Sequence, residues 1–169
     1  MRAFHAKILI MSAVGLAFPD VAYSAESYLR YGLGVGNSSS AKLFSLGYSD
    51  RLVSAKALSF LVWQGEAGGW GDGAGRGRTG SAYVSLGMGL KVHAGPFVAY
   101  SIHGLGAITA PDAYLGSVPQ FFHDIGAGLI DEDTGASIAI SYKHVSNSSL
   151  FSPINVGRDF MTVKLGIPL

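Results

Sequence analysis

The strongest pattern in the chain is an alternation of apolar and polar positions with period two, repeated eight times, which predicts eight β-strands. In 27–36, Leu29, Tyr31, Leu33 and Val35 share one face, and Arg30, Gly32 and Gly34 the other. In 41–50, Phe44, Leu46 and Tyr48 alternate with Ser45, Gly47 and Ser49; in 57–66, Leu61 and Trp63 oppose Gln64 and Glu66, before a glycine-rich loop at 68–80. The cleanest run is 81–92: Ala82, Val84, Leu86, Met88, Leu90 and Val92 face one way, with Ser81, Tyr83, Ser85, Gly87, Gly89 and Lys91 behind them. A fifth strand at 96–107 is expected to turn Val98, Tyr100 and Ile102 outward and His103 inward. A sixth at 121–130 sets Ile125, Ala127 and Leu129 against Asp124, Gly126 and Gly128. The seventh carries Ile138, Ile140, Tyr142, His144 and Ser146 on one face and Ser137, Ala139, Ser141 and Lys143 on the other. The eighth, 159–169, closes the chain with an apolar row of Met161, Val163, Leu165, Ile167 and Leu169.

Composition says what surrounds these strands. The 169 residues contain 24 glycines, no cysteine and only 14% charged residues, too apolar for an ordinary soluble domain of this size. Arg2 and Lys7, an apolar run at 8–18 and the small residues of Ala22-Tyr23-Ser24 predict a signal peptide at 1–24, leaving 25–169 as one domain. Its removal takes Arg2, Lys7 and Asp20 from totals of 12 basic and 11 acidic residues, so the mature chain is formally neutral and nucleic acid is not an expected partner. An exported chain without cysteine has no disulfide framework.

A helical membrane span needs about 20 apolar residues in succession. The longest charge-free run of the mature chain, 92–111, is broken by Gly95, Pro96, Gly104 and Gly106 and by His93 and His103. The remaining way to hold so apolar a chain in a membrane is a closed barrel, because lipid leaves no backbone group to water. The expected fold is therefore all-β, an eight-stranded antiparallel up-and-down transmembrane barrel with apolar residues turned to lipid. Long connections are expected after strands three, five and seven, and short ones after strands two, four and six. Arg30, Glu66, Lys91, Asp124, Lys143 and Lys164 fall on inward positions, which predicts a paired polar filling and not a transport channel.

Candidate chemistry gathers on the last hairpin. His144 and Ser146 continue the lipid-facing row of strand seven, and parity carried back along strand eight puts Asp159 on the same side. A hydroxyl, an imidazole and a carboxylate so placed can act as nucleophile, general base and orienting acid in attack on an ester. A histidine and a serine near a loop end are also ordinary interface residues. Against that plain reading stands the cost of turning ionisable groups toward hydrocarbon, where they are mostly functional.

Other motifs say less. The Gly75-Arg76-Gly77-Arg78-Thr79-Gly80 run has dinucleotide-type glycine spacing but precedes a strand instead of opening a helix, so a loop is the better reading. Arg76 and Arg78 could meet lipid phosphates or simply be solvated. His123 reads as an interfacial residue and His103 as a hydrogen-bonding lumen residue. No histidine and carboxylate group has metal-ligand spacing, so no metal or other cofactor is expected.

The run His144-x-Ser146-Asn147-x-x-Leu150, followed by Pro153, Asn155, Gly157 and Asp159 and by Ile167-Pro168-Leu169, resembles the C-terminal signature of the PagL-type lipid A 3-O-deacylases. The upstream Leu115-Gly116-Ser117 and Asp124 to Leu129 resemble that family too; together about the last third of the chain carries the likeness. The resemblance implies a Gram-negative outer-membrane barrel whose triad, His144, Ser146 and Asp159, faces the outer leaflet. It implies hydrolysis of the ester-linked acyl chain at position 3 of lipid A, with release of a 3-hydroxy fatty acid. Asn147, and after it Asn155, are then the candidate oxyanion donors. Two departures are visible: the family's acid is glutamate, and it has glycine where Ser149 stands. The implied partners are lipopolysaccharide and outer-membrane lipid; a homodimer stays open. The competing reading is a non-enzymatic eight-stranded barrel serving adhesion or envelope integrity.

Overall fold

A computed structural model describes residues 25–52, 60–72 and 80–169. The expected signal peptide lies outside them, as does the 73–79 part of the glycine-rich run. Eight antiparallel strands close into a barrel in chain order: β1 Glu26–Val35, β2 Ala41–Arg51, β3 Leu61–Asp72, β4 Gly80–Ala94, β5 Phe97–Ile108, β6 Pro119–Ile130, β7 Ser137–Ser146 and β8 Arg158–Pro168. β8 returns to β1 from Glu26↔Pro168 to Val35↔Asp159, so the sheet has no free edge.

Alternation sets which residues face out. Leu46, Val84, Leu86, Met88, Ile140 and Ile167 are each more than half exposed and form an apolar outer wall, while the interior takes the charges. Glu66 sits at the centre of the lumen: it accepts from Tyr28 Oη at 2.8 Å, Ser45 Oγ at 2.7 Å, Lys143 Nζ at 3.0 Å and the Tyr83 hydroxyl. Arg30, fully buried, donates to Asp124 and lies 3.5 Å from Glu66. Glu26 takes Lys91 at 2.7 Å and Lys164 at 2.8 Å. The six inward charges foreseen in the sequence are thus one paired interior, which is what makes their burial tolerable. Near the end that carries the β7–β8 connection, an apolar layer of Leu43, Trp70, Tyr83, Phe122, Val145 and Phe160 caps this network, and Leu115 packs on it.

Two expectations are corrected. β3 begins at Leu61 and runs on to Asp72, through glycines read as loop. Gly68 belongs in the strand because a Cβ there would sit 2.4 Å from the Phe44 carbonyl oxygen and from Ser45 Cβ. Residues 57–59 of the expected third strand lie outside the described residues. The facing of β5 is inverted: Val98, Tyr100 and Ile102 are 4–5% exposed in the interior, while His103 is exposed on the outer wall. Both faces of β5 carry apolar side chains, so its own pattern is ambiguous, and its neighbours decide. Tyr100 is opposite Gly126, where a Cβ would come 2.6 Å from the Tyr100 ring.

Candidate active site

β7 and β8 pair so that His144 is directly opposite Asp159, both on the outer wall. His144 Nδ1 and Asp159 Oδ1 are 2.6 Å apart, a short contact for a bond between imidazole and carboxylate. The same carboxylate oxygen accepts the hydroxyl of Tyr142, the residue two before His144 on the same face. The Asp159 backbone N–H donates to Ser38 Oγ at 3.2 Å, which ties the acid to the β1–β2 connection. With Nδ1 committed to the carboxylate, Nε2 is the nitrogen left for proton transfer.

The parity that puts Asp159 on the outer row agrees with this geometry and leaves its neighbour Arg158 on the inner one. Arg158 points inward, fully buried, and binds Asp112 through Nε at 2.9 Å and Nη2 at 2.6 Å. Its guanidinium also lies 4.6 Å from the centre of the Tyr114 ring. Next to this ion pair the 109–118 and 147–157 connections are zipped together. Leu115 bridges to Asn155, Gly116 N–H donates to Ile154 O at 3.1 Å, and Val156 and Gly157 N–H both donate to Tyr114 O, at 3.0 and 3.3 Å.

That zipper sets Gly157 against the imidazole. Gly157 has φ +80°, and a Cβ there would lie 2.7 Å from His144 Cε1 and 3.5 Å from Nε2. Only glycine both adopts this backbone readily and leaves room for the ring. His144 is therefore fixed from two directions, by Asp159 through Nδ1 and by the Gly157 backbone over its far edge.

Ser146 ends β7, next along the outward row from His144 and only 6% exposed. Its cross-strand neighbour is Phe121, whose ring stacks on Phe151 with centroids 6.2 Å apart, so an aromatic pair stands beside the hydroxyl. Among the described residues no hydrogen bond joins Ser146 Oγ to His144; the structure brings His144 and Asp159 into contact and leaves Ser146 adjacent.

Asn147, fully buried, holds the following turn: its Nδ2 donates to Ile154 O at 2.8 Å and its Oδ1 accepts Ser149 N–H at 2.8 Å. Its own backbone N–H donates to Asn155 Oδ1 at 2.9 Å. Ser148 and Ser149 have φ of 51° and 56°, a left-handed pair closed by Leu150 N–H on Asn147 O at 3.0 Å. Consecutive non-glycine residues in this region store strain, a feature concentrated at functional sites.

Tyr142, Gly157 and Ser38 were not identified by sequence reasoning as supports of the histidine and acid. Tyr142 was readable in principle, because it shares a face with His144 one step along the strand. The contacts of Gly157 and Ser38 arise from connections whose path no periodicity encodes. His123 and His103 occupy the outer wall beside His144, with the His123 and His144 ring centres 6.0 Å apart. Among the described residues no group of three or more His, Asp or Glu side chains is placed to hold a metal ion.

No protein-family model and no curated protein matches the chain. Among solved structures it is similar to the crystal structure of the outer membrane enzyme PagL, with a TM-score of 0.64 over 85% of this chain and 99% of that one. At 22% sequence identity, the likeness is one of fold: an all-β, closed, eight-stranded antiparallel barrel.

Proposed function

We propose that the protein is an outer-membrane lipid A 3-O-deacylase, a serine-type ester hydrolase. The observation that carries the reading is the His144–Asp159 hydrogen bond of 2.6 Å on the apolar outer wall, with Ser146 next in the same row. Polar side chains that face hydrocarbon are costly, and a buttressed imidazole and carboxylate beside a hydroxyl match the needs of acyl transfer. The fold likeness to an outer membrane enzyme and the C-terminal sequence signature point the same way.

In the proposed reaction Ser146 Oγ attacks the ester carbonyl while His144 Nε2 takes its proton. Asp159 holds the ring in the Nδ1–H tautomer and stabilises the imidazolium. The alcohol leaves with the proton from His144, and water, activated by the same base, releases the fatty acid and regenerates the serine. The Ser146 hydroxyl has to turn toward Nε2 on substrate binding, since contacts of this kind often tighten only in the complex. For the oxyanion, the loop geometry favours Asn155 over Asn147. Asn147 Nδ2 is engaged by Ile154 O, whereas Asn155 is fixed through Oδ1 and makes no Nδ2 hydrogen bond among the described residues.

The test is incubation of purified protein with lipopolysaccharide, followed by mass spectrometry of the lipid. Loss of one hydroxyacyl mass, abolished by Ser146→Ala and by His144→Ala in folded barrels, supports the assignment. Unchanged lipid would favour the non-enzymatic barrel, and near-full activity in either variant would remove the triad.

A further inference from the structure

The His144–Asp159 pair is the end of a longer polar row. Strand register places His103 on β5 opposite His123 on β6, His123 opposite His144 on β7, and His144 opposite Asp159 on β8. His103 Nδ1 and His123 Nδ1 are 2.7 Å apart in a hydrogen bond, and Ser101 Oγ lies 2.9 Å from His103 Nε2. The row descends the wall: Asp159 is second in β8, His144 third from the end of β7, and His123 fifth in β6. Its surroundings are hydrocarbon-like, with Met88, Leu105, Ile125 and Ile140 all more than half exposed around it.

Hydrogen-bond inventory narrows what this row is for. In a neutral pair one Nδ1 donates and the other accepts, so each imidazole spends one nitrogen on the other. His103 spends its second nitrogen on Ser101. His123 Nε2 makes no hydrogen bond among the described residues, and a lone imidazole nitrogen turned toward lipid is unfavourable. It is a donor in one tautomer and an acceptor in the other. A hydroxyl can answer either, whereas a phosphate or carboxylate answers only the donor.

We infer that His123, propped by His103 and Ser101, is a specificity-determining residue that hydrogen-bonds a hydroxyl on the acyl chain, just past the scissile carbonyl. This rests on the deacylase reading and names the part of the substrate that the neighbouring strand reads. A chain whose carbonyl lies at Ser146 and His144 and whose tail runs down the outer wall brings its first carbons past β6, where a β-hydroxyl meets His123. The protein therefore selects 3-hydroxyacyl esters over plain acyl esters of equal length.

The experiment uses the purified full barrel in detergent and two probes: glucosamine 1-phosphate esterified at O3 with a 3-hydroxyacyl chain, or with the unsubstituted chain. The readout is the ratio of kcat/KM for the two. One hydrogen bond of ordinary strength predicts a wild-type preference for the hydroxyacyl probe of about tenfold. His123→Phe brings the ratio toward one, and His123→Gln retains part of it. If the phenylalanine variant does not fold, His103→Leu, which removes the prop, is expected to lower the same ratio. Equal cleavage of both probes by wild type, or an unchanged ratio in these variants, overturns the inference and leaves the deacylase intact. Cleavage of neither probe by wild type overturns both.

Discussion

Gly157→Ala is the sharpest probe of how His144 is held. The added methyl would stand 2.7 Å from His144 Cε1, where ordinary contact begins at 3.4 Å, so something has to give by about 0.7 Å. The imidazole is pinned on its other side by the 2.6 Å bond to Asp159, so its displacement loosens that bond and moves Nε2. Misplacement of about 1 Å at a reacting group costs on the order of a hundredfold in rate. A left-handed alanine at φ +80° adds a backbone cost of about 1–2 kcal/mol. Gly36→Ala separates the two effects, because Gly36 also has a left-handed φ, +56°, but nothing lies within 4 Å of its Cβ position. Both variants should melt earlier than wild type. Only Gly157→Ala should lose about a hundredfold in kcat on lipopolysaccharide, read as fatty acid released per minute by folded barrels. Full activity in Gly157→Ala at a lowered melting temperature would refute the idea that this backbone contact positions the ring.

Other outcomes follow from the same geometry. Tyr142→Phe removes a hydrogen bond to the acid and should lower kcat several-fold, up to about tenfold, with little change in melting; a null effect in the lipid assay would assign the hydroxyl no role in holding Asp159. Arg158→Met takes the charged partner from Asp112, whose carboxylate keeps, among the described residues, only the Tyr114 and Leu115 N–H groups, and should destabilise the barrel by about 3–5 kcal/mol in urea; an unchanged unfolding midpoint would refute it. Ser149→Gly relieves a residue at φ 56° and should be neutral or stabilising by up to about 1 kcal/mol. A clear drop in its unfolding midpoint would show that the serine side chain has a role beyond the turn.

Much of this arrangement is legible in the sequence because a barrel wall enforces period two. Rows such as Val84, Leu86 and Met88, or Val163, Leu165 and Ile167, can sit only one way. That parity also separated Asp159 from Arg158, one residue apart yet on opposite faces. Where both faces are apolar, parity is silent. Tyr100 and Ile102 look like lipid-facing residues until Gly126 and Lys91 are seen across the ladder, and this inversion hid the outward placement of His103. The glycines of β3 mimic a loop for a related reason: Gly68 yields its Cβ to Ser45, a fact of the partner strand. The left-handed φ at Ser149 gives a physical reason for the glycine that the sequence resemblance expects there. The path of 147–157 over the imidazole depends on its zipper with 109–118, and such loop pairing leaves no periodic trace.

In the proposed reaction the reacting groups sit on the skin of the barrel, while its described interior is filled with paired charges, so the reactant does not arrive through the lumen. Encounters must happen sideways, within the film of lipid around it, so their frequency follows the number of molecules per unit of membrane area and not any concentration in water. Thickening, stiffening or crowding that film should slow turnover even when every residue of the protein stays as it is.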